Sequence, residues 1–484
     1  MEKIVDPEKL IRGLCELDSE ETWFEFKTNL SDPEKIGEYV SALANSAMLE
    51  DKQDAFMVFG IVDATHEIVG TSTRLKTQKV KGELLASWLT RYLDPKVHFS
   101  FHGCQISGKR VEFVCIKPTY EKPVKFKNVA YIRIESANKR LDDYQEIERS
   151  LWLLTSRYSF EAGVAESNVS EQEIFERFGC KTLAKLFYGK ALSNEAIITD
   201  FLSRGLIRDN LQGGFDVTNL FALVAAKNMN EFKSLENKAP RLIVYKDRSK
   251  EFALDDVQGQ LGYAVGFERL LRYVMSKIEG DEVFLHGVRT KTHKHPEISV
   301  REFLANALIH QDLTAVGHGP RIEIFSDKMV ITNPGKPLIE TDLFINAPAK
   351  SRNEKLARLL RDAHLCEERG SGVDRACAAI EKEIQAPPLF RDVEDSTIVT
   401  LFRSASFARM TKEDRVRACY QHACLKYIMG DPLTNSSLRL RLGLNANQSA
   451  SATSVINDTI ETGLIKPVDT EQGKKNSRYF PAWV

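Results

Sequence analysis

Residues 20–30 read EETWFEFKTNL, residues 41–47 read SALANSA and residues 55–63 read AFMVFGIVD. The WFEFK segment alternates apolar and polar positions, as a half-buried strand does. Residues 33–47 carry helical spacing, with Ile36, Val40, Leu43 and Ala44 on one face. Residues 56–62 form a mostly apolar run interrupted by Gly60, which suits a central strand. A strand–helix–strand unit of this kind brings its two strand ends together, and with them Glu20, Glu25 and Asp63. Clustered carboxylates bind a hard divalent cation, and such an ion activates water against a phosphodiester. The same glutamates also serve as strand caps or solvent-facing charges, and spacing alone leaves both readings open.

The chain has 484 residues, enough for three or four domains with proper cores. Its formal net charge is −1, so any contact with nucleic acid must come from local patches. Eight cysteines are scattered without a CxxC pair, which argues against a zinc ribbon and fits reduced thiols. The start, MEKIVDPEKL, is acidic and amphipathic and does not read as a signal peptide. No apolar run approaches the length needed to span a bilayer. A cytoplasmic protein with no membrane partner is the expectation.

Residues 80–92 read as a helix, and residues 98–106 and 111–117 as the two strands of a hairpin. Between them GCQISGKR, 103–110, partly matches a phosphate-binding P-loop. A true P-loop joins a strand to a helix and needs Ser or Thr after its Lys; here Arg110 follows and a strand comes next. Lys122, Lys125, Lys127, Arg133, Lys139 and Arg140 make the next stretch basic. They suit a phosphate backbone, or equally an ordinary solvated hairpin face. Residues 151–238 read as a connector. Within it a helix at 194–203, GLIRDNLQGGFDVTN and a helix at 220–226 follow a winged-helix-like order.

A second cluster begins near residue 240, with a strand at 242–246 and a helix at 262–277. In REFLANALIHQD, 301–312, Glu302 and Asn306 are four apart and share a helix face, while Leu304, Ala307 and Leu308 point towards a core. A glutamate can activate water, and an asparagine oxygen can bind a magnesium ion carrying phosphates. PRIEIFSDKMVITNPG, 320–335, is a β-hairpin turning at Ser326-Asp327 and ending at Asn333-Pro334-Gly335. Further on, Gly370-Ser371-Gly372 precedes a helix, where backbone amides can cradle phosphate. Arg301, His310 and Asp312 read as a polar network around the helix, and His293 and His295 as surface histidines.

The pattern E-x4-E-F-K, then A-x-A-N, F-G-I-x-D and IVG, continuing to Lys122-Pro123 and YIRIES at 131–136, resembles the Schlafen-type AlbA-like domain over about residues 15–150. In the Schlafen nucleases three acidic residues form an RNA-cleaving site. The resemblance places them on Glu20, Glu25 and Asp63, holding Mg2+ or Mn2+, with Lys27 beside them to offset phosphate charge. It also implies a role in antiphage defence or stress response. Many bacterial relatives of this kind are described only as DNA-binding.

REFLANALIHQD, EIFSDKMVITNPG, SRNEKLA and CEERGSGVDR together resemble a divergent branch of the gyrase–histidine-kinase–MutL (GHKL) ATPase group, over about residues 260–405. That resemblance makes Glu302 the water-activating base and Asn306 the magnesium ligand. It puts Asn333 and Gly335 in the adenine-reading segment and Gly370 and Gly372 in the nucleotide lid. The ATPase group usually reads adenine with an aspartate where this chain has Asn333.

Residues 408–484 read as three helices, at 415–429, 433–443 and 450–462, followed by two strands around a basic turn. This is a winged-helix order. Arg439, Arg441, Lys474, Lys475 and Arg478 are candidate phosphate contacts. The chain is thus expected to be a multidomain α+β protein. An AlbA-like α/β domain spans 1–150, a connector 151–238, a GHKL-like ATP-binding α/β sandwich 239–406 and a winged-helix tail 407–484. Three functions follow: an ATP-gated metal-dependent nuclease acting on RNA, an ATP-responsive DNA-binding regulator, or a partner-recognition subunit with vestigial sites. A homodimer or higher homo-oligomer suits all three. A helicase motor is rejected for want of a Walker motif.

Overall fold

The computed structural model describes residues 6–17, 21–50, 52, 54–119, 122–157, 160–210, 213–285, 288–293, 295–315, 317–346, 350–366, 371–403, 406–469 and 477–484, with side chains at 156–157 and 279–293 left aside. The chain divides into two units, one of residues 1–159 with 209–214, the other of 160–208 with 215–484. It is an α+β protein of several sheets.

In the first unit the strands Phe24–Lys27 and Ala55–Phe59 pair in parallel, Glu25 opposite Met57 and Lys27 opposite Phe59. The helix Pro33–Leu49 makes the crossover that parallel strands require. Asp32 caps it by accepting from the Glu34 amide at 2.9 Å, and Pro33 starts it where a missing N–H costs nothing. Its apolar face buries Ile36, Val40, Leu43 and Ala44, each larger side chain contributing about 1.5–3 kcal/mol. Lys109–Lys117 and His98–Ile106 complete the four-stranded sheet as antiparallel partners. Their turn is Ser107-Gly108, both at positive φ, the two-residue geometry that matches strand twist. GCQISGKR is therefore a strand, a hairpin turn and a strand.

The polar residues of the same helix have a separate task. Ser41 donates to Val124 O at 2.8 Å, and Asn45 Nδ2 donates to Val124 O at 2.9 Å and Tyr131 O at 2.8 Å. Asn45 Oδ1 accepts from Val124 N at 2.7 Å, Ser41 Oγ from Tyr131 N and Ser46 Oγ from Arg133 N, both at 3.1 Å. SALANS thus grips the backbone of a second four-stranded sheet, which orders Ala137–Arg140, Val129–Ile134, Lys125–Phe126 and Leu93–Asp94.

The helix expected at 80–92 starts later, as Leu85–Tyr92. Lys79–Val80 and Glu83–Leu84 pair as a small hairpin instead, because Lys81 and Gly82 take positive φ and break the helix before it begins.

In the second unit a six-stranded sheet runs Ala253–Gln258, Arg241–Tyr245, Arg321–Ile324, Lys328–Pro334, Ser396–Phe402, Leu389–Val393. The expected 320–335 hairpin is its centre, Ile324 opposite Met329. Glu297–His310 packs against this sheet and against the helices Tyr263–Lys277 and Gly372–Lys382. The tail carries Lys412–Ile428, Asn435–Arg441 and Ser449–Glu461, with Leu433–Thr434, Arg478–Pro481 and Ile465–Pro467 in one small sheet. Thr411 and Asp414 close a capping box at its first helix. One continuous apolar core runs through the unit, from Val169 to Ile465. Among the described residues no helix is long and apolar enough to cross a membrane.

Candidate functional sites

In the first unit Glu25 projects from its strand into a buried charge cluster and is only 1 % exposed. It pairs with Lys27 on its own strand and with Arg133 on Val129–Ile134, the latter also fully buried. Lys27 Nζ lies 3.5 Å from Asp63 Oδ2, in the turn beyond Ala55–Phe59, and donates to Phe26 O at 3.0 Å. The Gly60 amide, donating to Lys27 O at 2.7 Å, brings that turn beside the first strand. Burial works against the Lys27 charge, but the Glu25 hydrogen bond and charge outweigh it and hold its ammonium above the usual range. Burial, with the Glu25 charge, pushes the Tyr39 phenol up. Its ring faces both Lys27 and Arg133 at 5.7 Å.

Glu25, Lys27 and Asp63 are therefore neighbours, while Glu20 lies outside the described residues. The described groups, two carboxylates against two cations, balance to zero and do not by themselves make a cage for a divalent ion. Among the described residues no three His, Cys, Asp or Glu side chains are grouped to hold a metal.

Burial corrects two of the expected phosphate contacts. Arg133 is spent on Glu25, and Arg441, 4 % exposed, donates to Gln385 O at 2.9 Å and lies 3.4 Å from Glu381. Neither guanidinium is offered to solvent. Lys125 is half-buried, Arg140 is exposed and paired with Asp142 at 2.5 Å, and Arg439 donates to Asn435 at 3.1 Å. Arg478 is exposed, and Lys474 and Lys475 lie outside the described residues. His295 is buried, which corrects its reading as a surface residue; the His293 side chain is not described.

The second unit holds a cavity of about 650 Å³ lined by Glu302, Asn306, Asn333 and Gly372. Four residues singled out by motif thus line one cavity. Glu302 is buried and pairs with Arg375, whose helix begins at Gly372. Gly335, at φ +103°, has no room for a side chain: a Cβ would lie 2.7 Å from Arg352 and 3.0 Å from the Asp312 amide. Asp312 N in turn donates to Pro334 O at 2.7 Å, tying the end of the asparagine strand to the end of the glutamate helix. Gly370 lies outside the described residues.

Sequence reasoning missed the cavity's positive lining: Lys336, Lys350, Arg352, Arg358 and Arg361. Arg352 stands 3.8 Å from Asp312 and also donates to Lys336 O. Burial opposes the Asp312 charge, but the Thr314 hydrogen bonds and the Arg352 and Lys238 charges hold its carboxyl below the usual range. Burial and the Arg352 charge push the His310 imidazole down to about 4. Asn353 Nδ2 bonds Ile309 O and Gln311 O at 2.7 Å each, which seats the cationic helix Glu354–Asp362 against the end of Glu297–His310. The signal was in SRNEKLARLLR: Arg358 and Arg361 are three apart and share a face.

Residues 20–142 match the family model "Schlafen, AlbA_2". Residues 317–401 match the model of the ATPase-like domain described for the C-terminal part of the recG ATP-dependent DNA helicase. The chain therefore joins an AlbA-like segment to an ATPase-like one. No curated protein matches it. Among solved structures, the DIP2311 protein from Corynebacterium diphtheriae is 17 % identical, with 98 % of this chain and 97 % of that chain covered, at a TM-score of 0.43. A superposition that loose transfers nothing to this chain.

Proposed function

We propose that this protein binds nucleic acid through its AlbA-like segment under the control of ATP bound in the 650 Å³ cavity of the second unit. The carrying observation is the cavity's composition. Five cations line the cavity with Glu302, Glu354 and Asn306, a net positive lining that complements a polyanion of triphosphate size. Asn306 offers an oxygen donor of the kind Mg2+ accepts, and Mg2+ would offset phosphate charge there. Glu302 is the group placed to orient a water, with Arg375 holding its carboxylate. In the tail, a helical trio with a small sheet gives a winged-helix reading. Arg439 and Arg478 are its phosphate contacts.

The test is isothermal titration of the purified protein with Mg-ATP, followed by gel shifts on RNA and duplex DNA with and without ATP. Saturable ATP binding that changes nucleic-acid affinity supports the proposal. ATP binding without effect on nucleic acid, or no ATP binding, refutes it.

A second reading rests on Lys27 bridging Glu25 to Asp63. Here the AlbA-like segment is a nuclease acting on RNA, with Glu20, Glu25 and Asp63 holding Mg2+ or Mn2+ and Lys27 offsetting phosphate charge. End-labelled tRNA, single-stranded RNA and duplex DNA, incubated with either ion, decide it. Cleavage by wild type and none by Glu25→Ala or Asp63→Ala supports it; intact substrates in every lane eliminate it.

A further inference from the structure

We infer that the nucleotide cavity accepts purines with either a 6-amino or a 6-oxo edge, and that Asn333 is the residue that makes it indifferent. This rests on the nucleotide reading above. Asn333, 5 % exposed, lines the cavity from the strand Lys328–Pro334. Its Nδ2 is buried and finds no acceptor among the described residues. Its strand partner across the ladder, Thr397, donates its hydroxyl to Gly335 O at 2.8 Å. Val399, the other lining residue on that strand, is apolar.

A buried donor left without a partner is destabilising, and a bound acceptor removes that cost. The cavity supplies the rest of a base site. Phe344 and Phe390, with ring centroids 5.2 Å apart, form an apolar wall suited to a planar ring.

A carboxamide carries one acceptor and a two-hydrogen donor, exchanged by a half-turn of the amide. Adenine presents N6–H beside the N1 acceptor. Hypoxanthine and guanine present the O6 acceptor beside N1–H. An unanchored amide satisfies the first pair in one orientation and the second in the other. A carboxylate at the same place only accepts, and would face adenine N1 and hypoxanthine O6 alike with repulsion. The substrate class is therefore purine nucleoside triphosphate, with selectivity against pyrimidines set by the size of the ring.

The experiment is isothermal titration of wild type and Asn333→Asp with Mg-ATP, Mg-ITP, Mg-GTP and Mg-CTP. ITP separates the 6-oxo edge from the extra 2-amino group of GTP. Wild type is expected to bind ATP and ITP within about tenfold of each other and CTP more weakly. Asn333→Asp is expected to weaken ATP and ITP alike, by about tenfold, because each base then sets one acceptor against the carboxylate. A wild-type preference for ATP over ITP of about a hundredfold overturns the inference while leaving the nucleotide site standing. Binding of none of the four overturns both. The wild-type comparison decides even if the variant does not fold.

Discussion

Gly372 lies so close to Glu302 that a Cβ at position 372 would stand 2.5 Å from the Glu302 carboxylate. The two residues meet because the helices Glu297–His310 and Gly372–Lys382 pack together, with Ser299 Oγ donating to Ala376 O at 2.8 Å one turn away. Glu302 cannot simply swing aside, since Arg375 holds its other oxygen.

Gly372→Ala should therefore act on the cavity more than on the fold. Overpacking costs about 1–3 kcal/mol, released here by pushing Glu302 off Arg375. ATP affinity should fall about tenfold, measured by titration, with thermal unfolding recording the smaller stability loss. Unchanged affinity and melting would show that Glu302 has another place to go.

Arg133→Met leaves Glu25 buried with one of its two cations gone. Removing one partner of a buried pair costs about 3–5 kcal/mol, and the remaining Lys27 contact puts this variant near the lower end. Adding Glu25→Gln should restore much of the loss, because the uncompensated charge goes with it. Urea unfolding of wild type, the single variant and the double variant checks the sign of that coupling.

His310 gives the second unit an acid sensitivity. Its folded value, about 4, lies below the unfolded value of about 6.5. Between the two the unfolded chain binds the extra proton, so stability falls as pH drops through that window, by at most about 3 kcal/mol. The contribution is complete above about pH 6.5 and absent below about pH 4. His310→Gln should flatten the slope in chemical denaturation curves taken across that range.

Arg358→Ala and Arg361→Ala remove cavity cations from the helix Glu354–Asp362. Each should weaken ATP about tenfold, leave adenosine unchanged, and leave the melting temperature within a degree or so. Raising the salt should shrink the difference, since both groups are solvent-accessible. Equal losses for ATP and adenosine would place these arginines outside the phosphate region.

Much of this fold could be read from local pattern. FEFK alternation, the 3.6-residue spacing of Ile36, Val40 and Leu43, and the Ser326-Asp327 turn all correspond to elements of the structure. Glu302 and Asn306 could be paired because one helix carries both. What escaped the sequence was long-range. Arg133 looked like one of several hairpin cations, and its pairing with Glu25 spans 108 positions. Arg441 looked like one of several phosphate contacts in the tail, and only packing against the Gln385 carbonyl reveals it as buried. The arginines Arg358 and Arg361 of SRNEKLARLLR are three apart on one helix, but only the tertiary fold shows that a cavity opens beside them.

The helix Pro33–Leu49 is tied at both ends of one ion pair. It is the crossover that fixes the strand bearing Glu25, and through Ser41, Asn45 and Ser46 it fixes the strand bearing Arg133. The spacing of that pair is thus set by a single rigid rod that touches both of its strands. A tag inserted at the Ser107-Gly108 turn is therefore free to sit there without retuning the charge cluster. A single glycine within the rod, at Leu43 for instance, would detune it from a distance.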